Sequence, residues 1–128
     1  EKELIPAADG AGIGTVVFSP LAQGVLTNKY SDGVPEGSRA AKGSPFIARY
    51  LRNDATDYAR RLPVLAKARG QTPAQTALAW VLRDARVTSA VIGASHPGHI
   101  RENVAALQNL SFDAQELAAL ALSRCTGA

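Results

Sequence analysis

Cysteine is nearly absent: the chain has one, Cys125, in 128 residues. A lone cysteine closes no internal disulfide, so the fold must rest on a packed core, and this usage suits a reducing compartment. Its place in the last few residues reads as an incidental small side chain in a terminal tail. Long apolar runs are missing too. None approaches the roughly 20 residues that a membrane span needs, and no charged-then-apolar leader is visible. The expectation is a cytoplasmic protein with no membrane partner. Methionine is wholly missing, and with Glu1 in first place the true N-terminus is expected to lie elsewhere. His96 and His99 are the only histidines. Their i, i+3 spacing comes without any cysteine or carboxylate cluster, which argues against zinc and leaves no metal ligands to assign.

What is present describes a globular domain of ordinary size, with 46% hydrophobic and 20% charged residues. The net charge of +3 is modest but unevenly spread. Between Lys29 and Arg69 there are nine basic residues against four acidic ones. A field of that sign draws a polyanionic ligand or nucleic acid, although most of these side chains read as an ordinary solvated face.

The strongest pattern is Thr15-Val16-Val17-Phe18 running into Ser19-Pro20-Leu21-Ala22-Gln23-Gly24. An apolar, β-branched run that stops at a Pro- and Gly-containing loop reads as a buried parallel strand, here about Gly14 to Ser19, and ligands of α/β proteins bind at such strand ends. A second run, Ser89-Ala90-Val91-Ile92, ends the same way at Gly93-Ala94-Ser95-His96-Pro97. Two loops are therefore expected on one face. Between the strands, periodicity disappears from Ala22 to Asn53, where Gly33, Pro35, Gly37, Gly43 and Pro45 recur. A stretch of that length without structure reads as a functional lid or binding loop.

Helical spacing is expected from Glu3 to Ala8, and again from about Asp54 to Gly70 with Tyr58, Leu62 and Leu65 on one face. Pro63 should kink that second helix or mark its real start. Thr72-Pro73-Ala74-Gln75 is a capping box with proline at the first helical position. It opens a helix to about Arg83 with a broad stripe of Ala74, Ala77, Leu78, Val81 and Leu82. Trp80, at the edge of that stripe, reads as a packing residue. Pro97 opens a helix carrying Ile100, Val104 and Leu107, and the box at Asp113-Ala114-Gln115-Glu116 opens a short last one. The order is βα in logic, but two strands cannot close a barrel or pair their own edges.

Phe18-Ser19-Pro20-Leu21-Ala22-Gln23-Gly24, then Lys29-Tyr30 and Arg39, then Ile92-Gly93-Ala94-Ser95 with Glu102-Asn103, resemble the cofactor-binding half of the aldo-keto reductases. The branch most similar holds the bacterial L-glyceraldehyde-3-phosphate reductases and the β subunits of voltage-gated potassium channels. Essentially all of residues 1–128 takes part. The resemblance implies an α/β fold, the C-terminal fragment of a (β/α)8 TIM barrel: the end of helix six, strand seven, the long loop, helix seven, strand eight and the closing helices.

It also implies a function: NADPH-dependent reduction of a carbonyl to an alcohol. The nicotinamide cofactor and a small aldehyde or ketone would be the partners, with no nucleic acid and with homo-oligomer formation left open. By position, Phe18 would stack on the nicotinamide, and Ser19, Pro20, Leu21, Gln23 and Gly24 would approach the pyrophosphate. Lys29 and Arg39 would add positive charge, Arg39 with a fork suited to phosphate. Gly93, Ser95, His99, Glu102 and Asn103 would line the adenosine and 2′-phosphate pocket at a helix N-terminus. His96 stands where close relatives often carry Arg, and His99 where they often carry Gln. The family's Asp, Tyr, Lys and His set comes from earlier barrel strands and has no counterpart here, so no residue is assigned as catalytic. A non-catalytic NADP-binding regulatory subunit and a phosphate-binding barrel of other chemistry are the competing readings.

Overall fold

The computed structural model describes residues 1–30, 34–38, 40–45, 47 and 55–121. Among the described residues five α-helices and two strands follow one another: α1 (Leu4–Gly10), β1 (Thr15–Phe18), α2 (Ala55–Ala68), α3 (Pro73–Leu82), β2 (Val87–Val91), α4 (Pro97–Ala105) and α5 (Ala114–Ala121). Short 3-10 turns at Ala22–Gly24, Asn28–Tyr30 and Ala106–Gln108 complete the order. The strands pair in parallel, with α2 and α3 as the crossover between them. Parallel neighbours require such a connection, because a tight turn can only reverse the chain.

The central element is α3. Thr72 caps it as its sequence predicts: the Thr72 hydroxyl accepts from Gln75 N at 3.2 Å, while Gln75 Oε1 accepts from Thr72 N at 2.9 Å. Pro73, Ala74, Thr76, Ala77, Leu78 and Ala79 are all buried. Small side chains around most of its circumference let α2, α4 and β2 approach it at once. Val81 and Leu82, expected in the apolar stripe, are only half-buried. The second capping box also forms: Asp113 Oδ1 accepts from Glu116 N at 2.8 Å, and Glu116 Oε2 accepts from Asp113 N at 2.9 Å.

Three expectations need correction. α2 begins at Ala55 and continues through Pro63, so this proline is not the start of the helix. Packing of Leu62 with Ala77 and Leu120, flanked by Tyr58, Leu65, Trp80 and Phe112, compensates for the missing amide donor. The strand ends move as well: β1 stops at Phe18 and β2 runs Val87–Val91. Ser19 leaves the strand because its φ is +53°, outside the extended region. The described part of the segment after β1 is not without structure; residues 31–33, 39, 46 and 48–53 of it lie outside the described residues. It buries Ala22, Val25 and Ile47 in one cluster flanked by Leu26, Tyr30, Ala40 and Ala59.

β1 is not buried on both faces. Its exposure alternates, leaving Val16 60% and Phe18 79% exposed, and Val91 beside them on β2 is 55% exposed. Parallel sheets ordinarily carry cover on both faces. Among the described residues, nothing covers this one.

Candidate functional site

The register of the sheet builds the site. Val16 pairs with Ser89, Val17 with Ala90 and Phe18 with Val91, after an irregularity between Thr15 and Val16. Parallel strands in this register end side by side. The loop that begins at Ser19 and the loop that begins at Ile92 therefore leave the same edge, as the two sequence patterns suggested.

The first loop is held by its own hydrogen bonds in an unfavourable backbone conformation. Ser19 (φ +53°), Ala22 (φ +49°) and Gln23 (φ +59°) all occupy the left-handed region, followed by Gly24 at φ +95°. Such residues cost free energy and persist only where the surroundings over-determine them, typically at ligand-binding turns. Here Ser19 O accepts from Ala22 N at 2.9 Å, Leu21 O from Gly24 N at 2.9 Å, and Gly24 O from the Thr27 hydroxyl at 2.7 Å. Gln23 Nε2 donates to Ser19 Oγ at 3.1 Å. Pro20 is buried beneath, while Ser19, Leu21, Gln23 and Gly24 are half-buried. Ala22 N and Gly24 N are spent on those carbonyls and Pro20 has no N–H, so the amides of the turn serve first to hold its own shape.

Phe18 precedes this turn with its ring open to solvent. Lys29 is exposed, its Nζ 6.0 Å from the centre of the Tyr30 ring. Tyr30 packs under the loop, where a Cβ on Gly24 would stand 3.7 Å from its Cε2, and its hydroxyl is buried without a hydrogen-bond partner. No pattern along the chain signals that orphaned hydroxyl or the left-handed alanine at position 22. Arg39 lies outside the described residues.

The second loop ends at His96, which caps α4. His96 Nδ1 accepts from Gly98 N at 3.0 Å, and the His96 and His99 rings meet edge to face at 6.1 Å. A ring nitrogen used as a cap acceptor is not free to bind a metal, and no group of metal-ligating side chains forms among the described residues. Gly93, Ser95 and His99 are exposed, and a Cβ on Gly93 would meet nothing within 4 Å. Asn103 faces inward and is 8% exposed. Glu102 is half-buried and is held by two neighbours: the Thr72 hydroxyl donates to Glu102 Oε1 at 2.8 Å, and Gln75 Nε2 donates to Glu102 O at 3.0 Å.

Of the residues picked from sequence, Phe18 to Gly24 thus share one loop, Gly93 and Ser95 the other, and His99, Glu102 and Asn103 the helix behind it. An open aromatic ring, a strained turn, an exposed lysine and a helix N-terminus suit a ligand with a flat aromatic end and phosphate groups. Arg69, which from sequence was one of many basic residues, plays a different part. Its side chain is 2% exposed and ion-paired to Glu116 at 2.8 Å, away from both loops.

A model of the aldo/keto reductase family matches residues 1–122. The chain is 43% identical over 119 residues to a protein named L-glyceraldehyde 3-phosphate reductase from Escherichia coli, a match covering 90% of this chain and 34% of that relative. It is 41% identical over 112 residues to a putative voltage-gated potassium channel subunit beta of Schizosaccharomyces pombe, covering 84% of this chain and 33% of the relative. Against a probable subunit of the same name from Arabidopsis thaliana, identity is 37% over 110 residues, covering 84% and 34%. The chain thus spans about a third of the length of these relatives.

Proposed function

The chain belongs to the aldo/keto reductase family, and from that premise we propose that it supplies the cofactor-binding half of an NADPH-dependent carbonyl reductase. The parallel register that brings the Ser19–Gly24 and Gly93–His96 loops to one edge carries this reading. β1 and β2 would be strands seven and eight of a (β/α)8 barrel, with the other strands covering Val16 and the ring of Phe18 left open at the strand end.

When bound, NADPH supplies a hydride to the carbonyl carbon of a small aldehyde or ketone. Phe18 offers its exposed ring as a wall for the nicotinamide and limits its rotation. The Ser19–Gly24 turn would bring the Ser19 hydroxyl and the Gln23 side chain to the pyrophosphate, and Lys29 and Arg39 would add positive charge for the phosphates. Gly93, Ser95, His99, Glu102 and Asn103 line the adenosine end. No residue of the chain is assigned to move the proton that the reduced oxygen requires. The setting would be cytoplasmic, with neither nucleic acid nor membrane as partner and with homo-oligomer formation open.

The second reading, a cofactor-binding regulatory subunit without turnover, draws on the channel-subunit names of two relatives. NADPH titration of the whole protein, followed by single-turnover mixing with glyceraldehyde 3-phosphate and simple aldehydes, separates the two. Tight binding with oxidation of the cofactor supports the reductase; tight binding with none across the aldehydes supports the regulator. Failure to bind NADPH overturns both.

A further inference from the structure

The contact between α3 and α4 gives one hydroxyl two partners. Thr72 Oγ1 accepts from Gln75 N at 3.2 Å and donates to Glu102 Oε1 at 2.8 Å. A hydroxyl has a single proton, so with that proton given to Glu102 only its lone pairs remain for the cap. Gln75 is similarly divided: its Oε1 accepts from Thr72 N, and its Nε2 donates to Glu102 O at 3.0 Å. The capping box of α3 thereby grips Glu102 at carboxylate and main chain together, across about thirty residues of sequence. A helix cap needs only its local partners. The outward donations to Glu102 are surplus to capping and demand another explanation.

We propose that Thr72, seconded by Gln75, is a positioning residue that fixes the Glu102 carboxylate toward the adenosine end of the bound nucleotide. This rests on the reading of Glu102 as a lining residue of the cofactor pocket. Thr72 engages Oε1 and leaves Oε2 as an acceptor. A charge-assisted bond to one oxygen restricts rotation of the carboxylate before ligand arrives, and such preorganisation strengthens binding without any added contact to the ligand. Thr72 itself touches no cofactor in this arrangement. Its influence passes wholly through Glu102.

The test uses the whole protein, with NADPH and reduced nicotinamide mononucleotide, which lacks the adenosine end, as the two probes. Thr72→Gly keeps most of the N-cap preference but has no hydroxyl to donate; Gln75→Glu keeps the capping box but loses the amide donor. Thr72→Gly is expected to weaken NADPH binding about tenfold and Gln75→Glu about threefold. Neither should change affinity for the mononucleotide or move the melting temperature far, and Thr72→Ser should restore NADPH binding. Glu102→Ala should also weaken NADPH, and adding Thr72→Gly to it should cause no further loss. If Glu102→Ala weakens NADPH while Thr72→Gly and Gln75→Glu bind it normally, the positioning role is wrong and the pocket reading stands. If Glu102→Ala leaves NADPH affinity intact, the pocket reading of Glu102 fails first. Equal weakening of both probes by Thr72→Gly, or a collapse in melting temperature shared by Gln75→Glu, makes the contact structural and overturns the proposal.

Discussion

The guanidinium of Arg69 lies 3.7 Å from the centre of the Phe112 ring while its nitrogens bind four acceptors around it. Nε donates to Gln71 Oε1 at 2.8 Å, Nη1 to Ser111 O and to Glu116 Oε2 at 2.8 Å each, and Nη2 to Asn109 O at 2.9 Å. Glu116 is also the box residue of α5. One side chain therefore ties the end of α2 to the start of α5, across the connection that follows α4.

Arg69→Ala should be costly, because it takes the guanidinium donors from the half-buried Glu116 carboxylate and from the Asn109 and Ser111 carbonyls, and removes the stacking surface on Phe112. The loss is expected at about 3 kcal/mol. Arg69→Lys should recover less than half, since an ammonium cannot reproduce the fork. Denaturant unfolding of the whole protein measures both, and a change below 1 kcal/mol for the alanine variant would show that the network is dispensable.

Gly24→Ala isolates the backbone of the first loop. A Cβ there meets Tyr30 Cε2 at 3.7 Å, an ordinary contact, so space is not the obstacle. The φ of +95° is, and it should cost on the order of 1–2 kcal/mol. Unchanged stability, read from the melting temperature, would mean that the loop relaxes to another conformation.

Phe18→Ala distinguishes a nicotinamide wall from a core residue. A core phenylalanine lost to alanine costs about 3–5 kcal/mol. With its ring open on the uncovered face, Phe18 should cost little stability and instead slow hydride transfer, on the order of 100-fold through lost orientation. Melting temperature together with single-turnover reduction decides the matter. A large drop in melting temperature with normal chemistry would place Phe18 in the core of the complete fold.

Arg39→Ala should weaken NADPH more than NADH if its fork meets the 2′-phosphate. Paired binding titrations give the ratio directly. Equal loss for both cofactors would remove Arg39 from that subsite.

Asp84 offers a pH test away from the loops. Hydrogen bonds from the Arg86 side chain, first, and then from the Arg86 backbone amide hold its carboxyl down from 3.8 to about 2. A depressed carboxylate contributes stability above its unfolded pKa and loses that contribution as pH falls through the folded one. The turn should therefore weaken between about pH 4 and pH 2. A carboxyl carbon titration by NMR checks the midpoint, and Arg86→Ala should return it toward 3.8. A midpoint already there in the native chain would dismiss the pairing.

Local chemistry made much of this fold legible. Thr72 and Gln75, and Asp113 and Glu116, announce helix starts by a four-residue rule that needs no tertiary information, and both boxes form. The run Thr15 to Phe18 announces a strand by its β-branched content, and the turn after it by Ser19-Pro20 and Gly24. The family, too, was legible from two short motifs in order. Tertiary packing decided what periodicity cannot encode. Pro63 stays inside α2 because Leu62 has a partner in Ala77. Ala22 takes a left-handed backbone that its own steric preference opposes, because Ser19 and Val25 hold it from either side. Arg69 is buried, though its sequence neighbourhood is that of a solvated basic face, because three acceptors from a distant segment join nearby Gln71 around it. Glu102 meets Thr72 for the same reason. A pattern along the chain reports what each residue does to its near neighbours; which distant groups share one proton or one guanidinium is set only when the chain closes on itself.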